Sequence, residues 1–240
     1  MKKKRLSFRF FVILAVLAFA LVGVMISPLF RVAEIEIYGN AVLTEAEILA
    51  AFELETGVNI FAFSTTRAAE RVNALPYSRF VTVSRQLPDK ITITMQEREP
   101  AANIRLGAAY LLIDNAGMVL STGQSPIRGL PIVTGINFAN FAIGQYLQVE
   151  QNAVFGNILY LSRYFALYEL NPDIVDFTNP RDIIMRAGNV EIDFGNMEDA
   201  PRKVRYLRAI LDDLPEMGFD MGFIDIKDIS NNQPRFRLTR

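Results

Sequence analysis

The side chains available for chemistry in this 240-residue sequence are carboxylates, lysines and hydroxyls, because it contains neither histidine nor cysteine. That removes imidazole general bases, Ser-His-Asp and Cys-His nucleophile systems, thiolate or imidazole zinc sites, and any disulfide framework. What remains for catalysis is paired carboxylates, for example Asp193 with Asp225 or Asp228. Such a pair would need one carboxyl kept protonated by burial and a sugar-sized cleft between the two. No S-x-x-K, G-x-S-x-G, G-x-x-x-x-G-K-[ST] or EF-hand pattern is present. The sequence therefore nominates no catalytic, cofactor-binding or metal-binding residue, and recognition through surfaces and strand edges is the chemistry left to it.

Those surfaces must be held somewhere, and the stretch that fixes where is Phe10 to Phe30. Its 21 residues carry no charge and lie between Arg9 and Arg31. As a helix they would rise about 1.5 Å per residue and just cover a hydrocarbon core of about 30 Å. A cleaved signal peptide is the competing reading, with Ala18-Phe19-Ala20 as its site. The apolar run continues past that point through Ile26, so a retained transmembrane helix over 10–30 is expected. Ser27-Pro28 should kink or end it. The span has no ionisable group for an ion pathway and no G-x-x-x-G dimer face.

Residues 1–9 form a basic tail with Lys2, Lys3, Lys4, Arg5 and Arg9, which the positive-inside rule keeps cytoplasmic. The rest lies outside the membrane. Without those five cations, 20 Lys and Arg face 26 Asp and Glu, a net charge of about −6. An acidic exported part is a poor nucleic-acid binder.

Two exported units follow, 31–100 and 101–240. In the first, Ile35 and Ile37 alternate with Glu34 and Glu36 as in a half-buried strand, ended at Gly39-Asn40. Thr44 to Glu47 is a capping box, with Leu43 and Ile48 as the hydrophobic staple. Its helix should run from Glu45 to about Glu53, with Ile48, Leu49 and Phe52 inward and Gly57 as the stop. A second helix follows the Ser64-Thr65-Thr66 cluster, with Ala68, Val72 and Leu75 on one face and Pro76 at its end. Strands at Val81/Val83 and at Ile91/Ile93/Met95 flank a Pro88-Asp89 turn.

In the second unit, Tyr110–Ile113 and Met118–Leu120 read as a hairpin around Asp114-Asn115-Ala116-Gly117. Ile132-Val133 is a short strand, and Val149–Leu170 a long helix with Val154, Ile158, Leu161, Phe165 and Tyr168 toward the core. Strands at 174–178, 183–186 and 190–194 precede a helix over 200–214, whose Arg202, Lys203, Arg205 and Arg208 should be solvated. Phe223–Ile226 and Arg235–Leu238 are the last strands, separated by a polar turn at 229–233. The fold class is α+β: an N-terminal transmembrane helix, a β-α-α-β-β unit, and a second α+β domain with a mostly antiparallel sheet.

The run V-x-x-I-x-I-x-G-N at Val32–Asn40 resembles the opening strand of a POTRA domain. Leu75-Pro76-Tyr77, Val81-x-Val83-x-Arg85, Leu87-Pro88-Asp89, Ile91-x-Ile93 and Glu97-Arg98-x-Pro100 are similar to its closing half, with Ser78 where the family tends to be apolar. A basic tail, one span, one POTRA domain and a second domain together resemble the FtsQ/DivIB family of bacterial division proteins. Ile113-Asp114-x-x-Gly117, Leu130-Pro131-x-x-x-Gly135, the helix with Lys203, and Ile224-Asp225-Ile226-Lys227 extend the likeness. The resemblance implies a non-enzymatic scaffold at the division septum that binds FtsB- and FtsL-like bitopic partners through the terminal strands of its second domain. The partner-binding candidates it implies are Asp225, Ile226, Lys227, Asp228, Ile229 and Ser230. Other readings are a carboxylate-based wall hydrolase and a POTRA-type chaperone that adds client strands to the edge at Val81–Arg85.

Overall fold

The computed structural model describes residues 8–150, 152–216, 221–229 and 235–237, and the chain divides into two compact units, 1–97 and 98–240. The first begins with helix α1, Phe8–Met25, whose described side chains are all exposed. It stops short of the expected Phe30 because Pro28 has no N–H to donate and disfavours the α region for its predecessor. Ser27 accordingly adopts φ −62° and ψ 157°, and Pro28–Phe30 form one 3-10 turn. Among the described residues no helix is long and apolar enough to cross a membrane.

Strand β1 (Glu34–Tyr38) is followed by α2 (Glu45–Phe52), α3 (Thr65–Asn73), β2 (Ser78–Gln86) and β3 (Lys90–Glu97). The sheet order is β1-β3-β2, with β1 parallel and β2 antiparallel to the central β3. The β-α-α-β-β order read from the sequence is the observed one. Ile48, Phe52, Ala68 and Val72 bring both helices onto Ile91, Ile93 and Met95 of β3 in one core.

The capping box forms as read. Thr44 Oγ1 accepts from Glu47 N at 3.3 Å, and Glu47 Oε2 accepts from Thr44 N at 2.8 Å. The Thr44 hydroxyl and amide together hold the Glu47 carboxyl below its ordinary value. Thr44→Ala should cost the first unit about 1 kcal/mol, read as a lower urea midpoint with an unchanged m-value.

The stop of α2 differs from expectation. Glu53 itself takes the left-handed conformation (φ 53°) and ends the helix four residues before Gly57, and Leu49 is exposed. Gly39 is needed where it stands: its φ is +88°, and a Cβ there would come 2.0 Å from the Met95 carbonyl oxygen. Ser78 is buried in spite of its hydroxyl, which bonds to Asn73 Oδ1 at 3.4 Å.

The second unit opens with β4 (Pro100–Leu106), β5 (Ala109–Asp114), β6 (Val119–Gly123) and β7 (Ile132–Thr134). After these come α4 (Asn152–Leu167), β8 (Ile174–Asp176), β9 (Ile183–Ala187), β10 (Asn189–Gly195), α5 (Ala200–Glu216), β11 (Met221–Asp225) and β12 (Arg235–Arg237). They form one nine-stranded sheet in the order β12-β11-β10-β9-β8-β7-β4-β5-β6. Five of its pairings are antiparallel. The three parallel ones are β4 with β7, β7 with β8, and β10 with β11.

Two of those parallel pairs are joined by helices, β7-α4-β8 and β10-α5-β11. They start from strands of the same direction and step the same way along the sheet. The right-handed crossover rule therefore puts α4 and α5 on one face, and their apolar residues share a single core with the strands. Val154, Ile158, Leu161 and Phe165 of α4 are buried in it, with Tyr168 partly so.

Candidate partner-binding site

The terminal strands lie at one end of the large sheet. β11 is held between β10 and β12, and β12 forms the edge, with Phe223, Ile224 and Asp225 opposite Arg237, Phe236 and Arg235. Among the described residues no strand covers the outer side of β12. An uncovered edge presents backbone donors and acceptors to an incoming strand.

The candidates of the 225–230 run divide by burial. Ile226 and Ile229 point into the core together with Ile224, and Ile226 N donates to Asp193 O at 3.0 Å. β11 ends at Asp225, so Ile226 is not a ladder residue. Asp225 is half-exposed, and Lys227 and Asp228 are exposed. Ser230 lies outside the described residues.

Lys227 closes the end of β10. Its Nζ pairs with Asp182 Oδ1 at 2.8 Å and Asp193 Oδ2 at 2.7 Å, and the hydrogen bonds it donates to both carboxylates hold it above the ordinary lysine range. The carboxylates first weighed as a catalytic pair are thereby engaged: Asp193 Oδ2 serves the ion pair, and Asp225 Oδ1 accepts from Lys227 N at 3.2 Å. A cavity of about 330 Å³ beside them is lined by Asn196, Glu198, Asp199, Lys203, Lys227, Asp228 and Ile229, but by neither Asp193 nor Asp225. Of the carboxylates weighed as a pair, only Asp228 is in its lining.

Lys203 corrects the expected solvated face of α5. It is 1% exposed, whereas Arg205 is exposed and Arg202 and Arg208 are half-buried. Its Nζ donates to Phe194 O and Asn196 O, each at 3.0 Å, and stands 5.2 Å from the Phe194 ring centroid. Burial pushes its pKa down, against the opposing pull of Glu198, Asp199, Asp228 and Asp193. The signal was in the spacing: Lys203 sits on the stripe of Ala200, Val204, Leu207 and Leu214, all buried. Its ammonium satisfies carbonyls at the β10 exit and so fixes the loop into α5 beside the terminal strands.

Two further polar residues brace the rest of the sheet. Asn103 on β4 is buried: its Nδ2 donates to Ile127 O at 3.0 Å and Leu130 O at 3.2 Å, while its Oδ1 accepts from Ile127 N at 2.8 Å. It staples the 127–131 loop, and the sequence reading missed it along with β4. Asp114 governs the β5–β6 turn. Its Oδ1 accepts from Ala116 N at 2.9 Å and Met118 N at 2.8 Å, and its Oδ2 from Arg98 Nη1 at 2.9 Å. Gly117 completes the turn with φ +86°, and a Cβ there would come 2.6 Å from the Phe155 ring.

Comparison with known proteins places these features in a family. Residues 30–98 match the family model described as "POTRA domain, FtsQ-type". The cell division protein FtsQ of Syntrophotalea carbinolica is 26% identical over 220 residues, covering 90% of this chain and 76% of that protein. The cell division protein DivIB of Clostridium botulinum (strain Hall) is 25% identical over 94% of this chain and 90% of its own length. FtsQ of Corynebacterium glutamicum is 30% identical over 58% of this chain and 63% of that protein. A POTRA unit with the β-α-α-β-β order, followed by a second unit that is matched along most of its length, supports the FtsQ/DivIB family of cell division proteins as the one this chain resembles throughout.

Proposed function

We propose that this protein is a non-enzymatic scaffold of the bacterial division machinery, anchored in the cell membrane at the septum. In this reading α1 is the single membrane anchor, the basic tail is cytoplasmic and both units are extracytoplasmic. FtsB- or FtsL-like bitopic partners add a strand to β12, beside Asp225, Lys227 and Asp228. The supporting observation is that the nine-stranded sheet ends on a three-residue edge strand with no described strand against its outer side. The names of the relatives, cell division proteins FtsQ and DivIB, support the cellular role.

The test is calorimetric titration of the detergent-solubilised chain with the extracytoplasmic part of an FtsB-like partner, beside a Phe236→Pro variant. Proline at 236 removes a backbone donor from β12, and whichever side that donor faces, either the pairing with β11 or the outer edge is broken. Binding should weaken about tenfold or more, equivalent to about 1.4 kcal/mol, while circular dichroism and the thermal transition stay close to wild type. Unchanged affinity in the folded variant would remove β12 from the interface. No binding by the wild-type chain would remove the partner class.

A further inference from the structure

The uncharged part of α1, Phe10 to Met25, is about 24 Å long at the α-helical rise, and a bilayer's hydrocarbon core is about 30 Å thick. The helix cannot complete that crossing by itself. The deficit of about 6 Å falls at its C-terminal end, because Arg9 marks the other limit. The structure gathers exposed apolar side chains at that end: Ile26 (71% exposed) and Leu29 (61%) from the segment after the helix, and Phe61 (37%) from the loop between α2 and α3.

The loop is fastened to the helix. Asn59 Nδ2 donates to the Met25 carbonyl at 2.8 Å, and Asn59 Oδ1 accepts from Phe61 N at 2.9 Å, which fixes the approach of the Phe61 backbone. The Phe61 ring lies 5.3 Å from that of Phe30. A terminal helical carbonyl satisfied by a protein donor is the arrangement suited to a water-poor surrounding, where an unmet carbonyl would be costly. Between this loop and the last turn of α1 is an open cavity of about 570 Å³ lined by Val22, Met25, Ile26, Asn59 and Phe61, with Arg31 also at its wall.

We propose that the 57–62 loop of the POTRA unit is a lipid-inserting wedge: Phe61, with Ile26 and Leu29, enters the outer leaflet and completes the crossing that α1 leaves short. The occupant of the cavity is then outer-leaflet lipid, with Arg31 at the depth of the phosphates. The inference rests on the anchor reading of α1, and it can fail while that reading stands.

The chain contains no tryptophan, so one introduced indole reports alone. The 240-residue chain would be reconstituted in phosphatidylcholine–phosphatidylglycerol vesicles carrying acyl chains brominated at shallow or deep positions. Probes would be Phe61→Trp and, independently, Leu29→Trp. Val16→Trp within α1 serves as the deep reference and Phe80→Trp, exposed on β2, as the aqueous one. The expected result is quenching of the Phe61→Trp and Leu29→Trp probes by shallow bromines, several-fold above the Phe80→Trp probe, with blue-shifted emission. If both wedge probes match Phe80→Trp while Val16→Trp is quenched by deep bromines, the wedge is overturned and the anchor stands. If Val16→Trp is not quenched, the anchor reading falls and takes the wedge with it.

Discussion

Asp114→Ala should destabilise the second unit by about 3–5 kcal/mol, the usual range for removing one member of a buried ion pair. The carboxylate is 4% exposed and its Arg98 partner 16% exposed, so little water is available to replace what is lost. Two turn amides, Ala116 N and Met118 N, lose their acceptor in the same step. Asp114→Asn keeps one carbonyl acceptor for those amides but gives up the charge that holds Arg98, and should fall between the two. Equilibrium urea unfolding, followed by far-UV circular dichroism, gives both values. An Asp114→Ala variant within about 1 kcal/mol of wild type would mean the turn is held by its backbone alone.

The second large effect is at Lys203. Lys203→Ala removes a buried aliphatic stem and leaves the Phe194 and Asn196 carbonyls without their common donor, a combined loss of about 3 kcal/mol. Lys203→Met retains the stem's volume and should recover part of that loss. The same pair of proteins isolates a pH dependence. Burial lowers the Lys203 pKa in the folded chain below the ordinary 10.5, so the unfolded chain binds this proton more tightly. In the window from the depressed value up to 10.5 the unfolded state carries more protons, and stability gained through this group rises with pH. Below the window the penalty for burying the ammonium is present in full. The stability of wild type relative to Lys203→Met should therefore increase as pH climbs toward 10.5; a flat difference would mean the ammonium is as well solvated by carbonyls as by water.

Much of the POTRA unit was legible because its devices are local. A capping box four residues long, strands whose apolar residues alternate, and a Ser64 cap whose side chain accepts from Arg67 N each declare themselves within one turn or a few strand residues. The second unit hid what depends on distant chain. β4 went unread because Ala102, Asn103 and Ile104 are all buried, and a central strand covered on both faces loses the alternation that marks a strand. Lys203 passed for a solvated charge because its acceptors lie seven and nine residues upstream, on β10 and the loop after it. In the candidate run, the sequence placed Ile226 on a strand, whereas it follows β11 and is anchored by Asp193 of the neighbouring strand. The apolar run through Phe30 overstated the first helix because composition continues where Pro28 stops the backbone.

The passage from α1 into β1 contains no slack. Phe30 N and Arg31 N close onto Ser27 O and Pro28 O, Val32 N and Ala33 N bond to Val58 O and Asp89 O, and Asn59 grips the last turn of the helix. Mechanically this is a clamped shaft and not a swivel. A rotation or tug on the helix is delivered to the first strand of the POTRA sheet without being dissipated in a loop, so the sheet's height and bearing above the helix end are set by short hydrogen bonds. Two glycines inserted between Phe30 and Arg31 would turn the clamp into a tether while leaving every residue of the sheet in place.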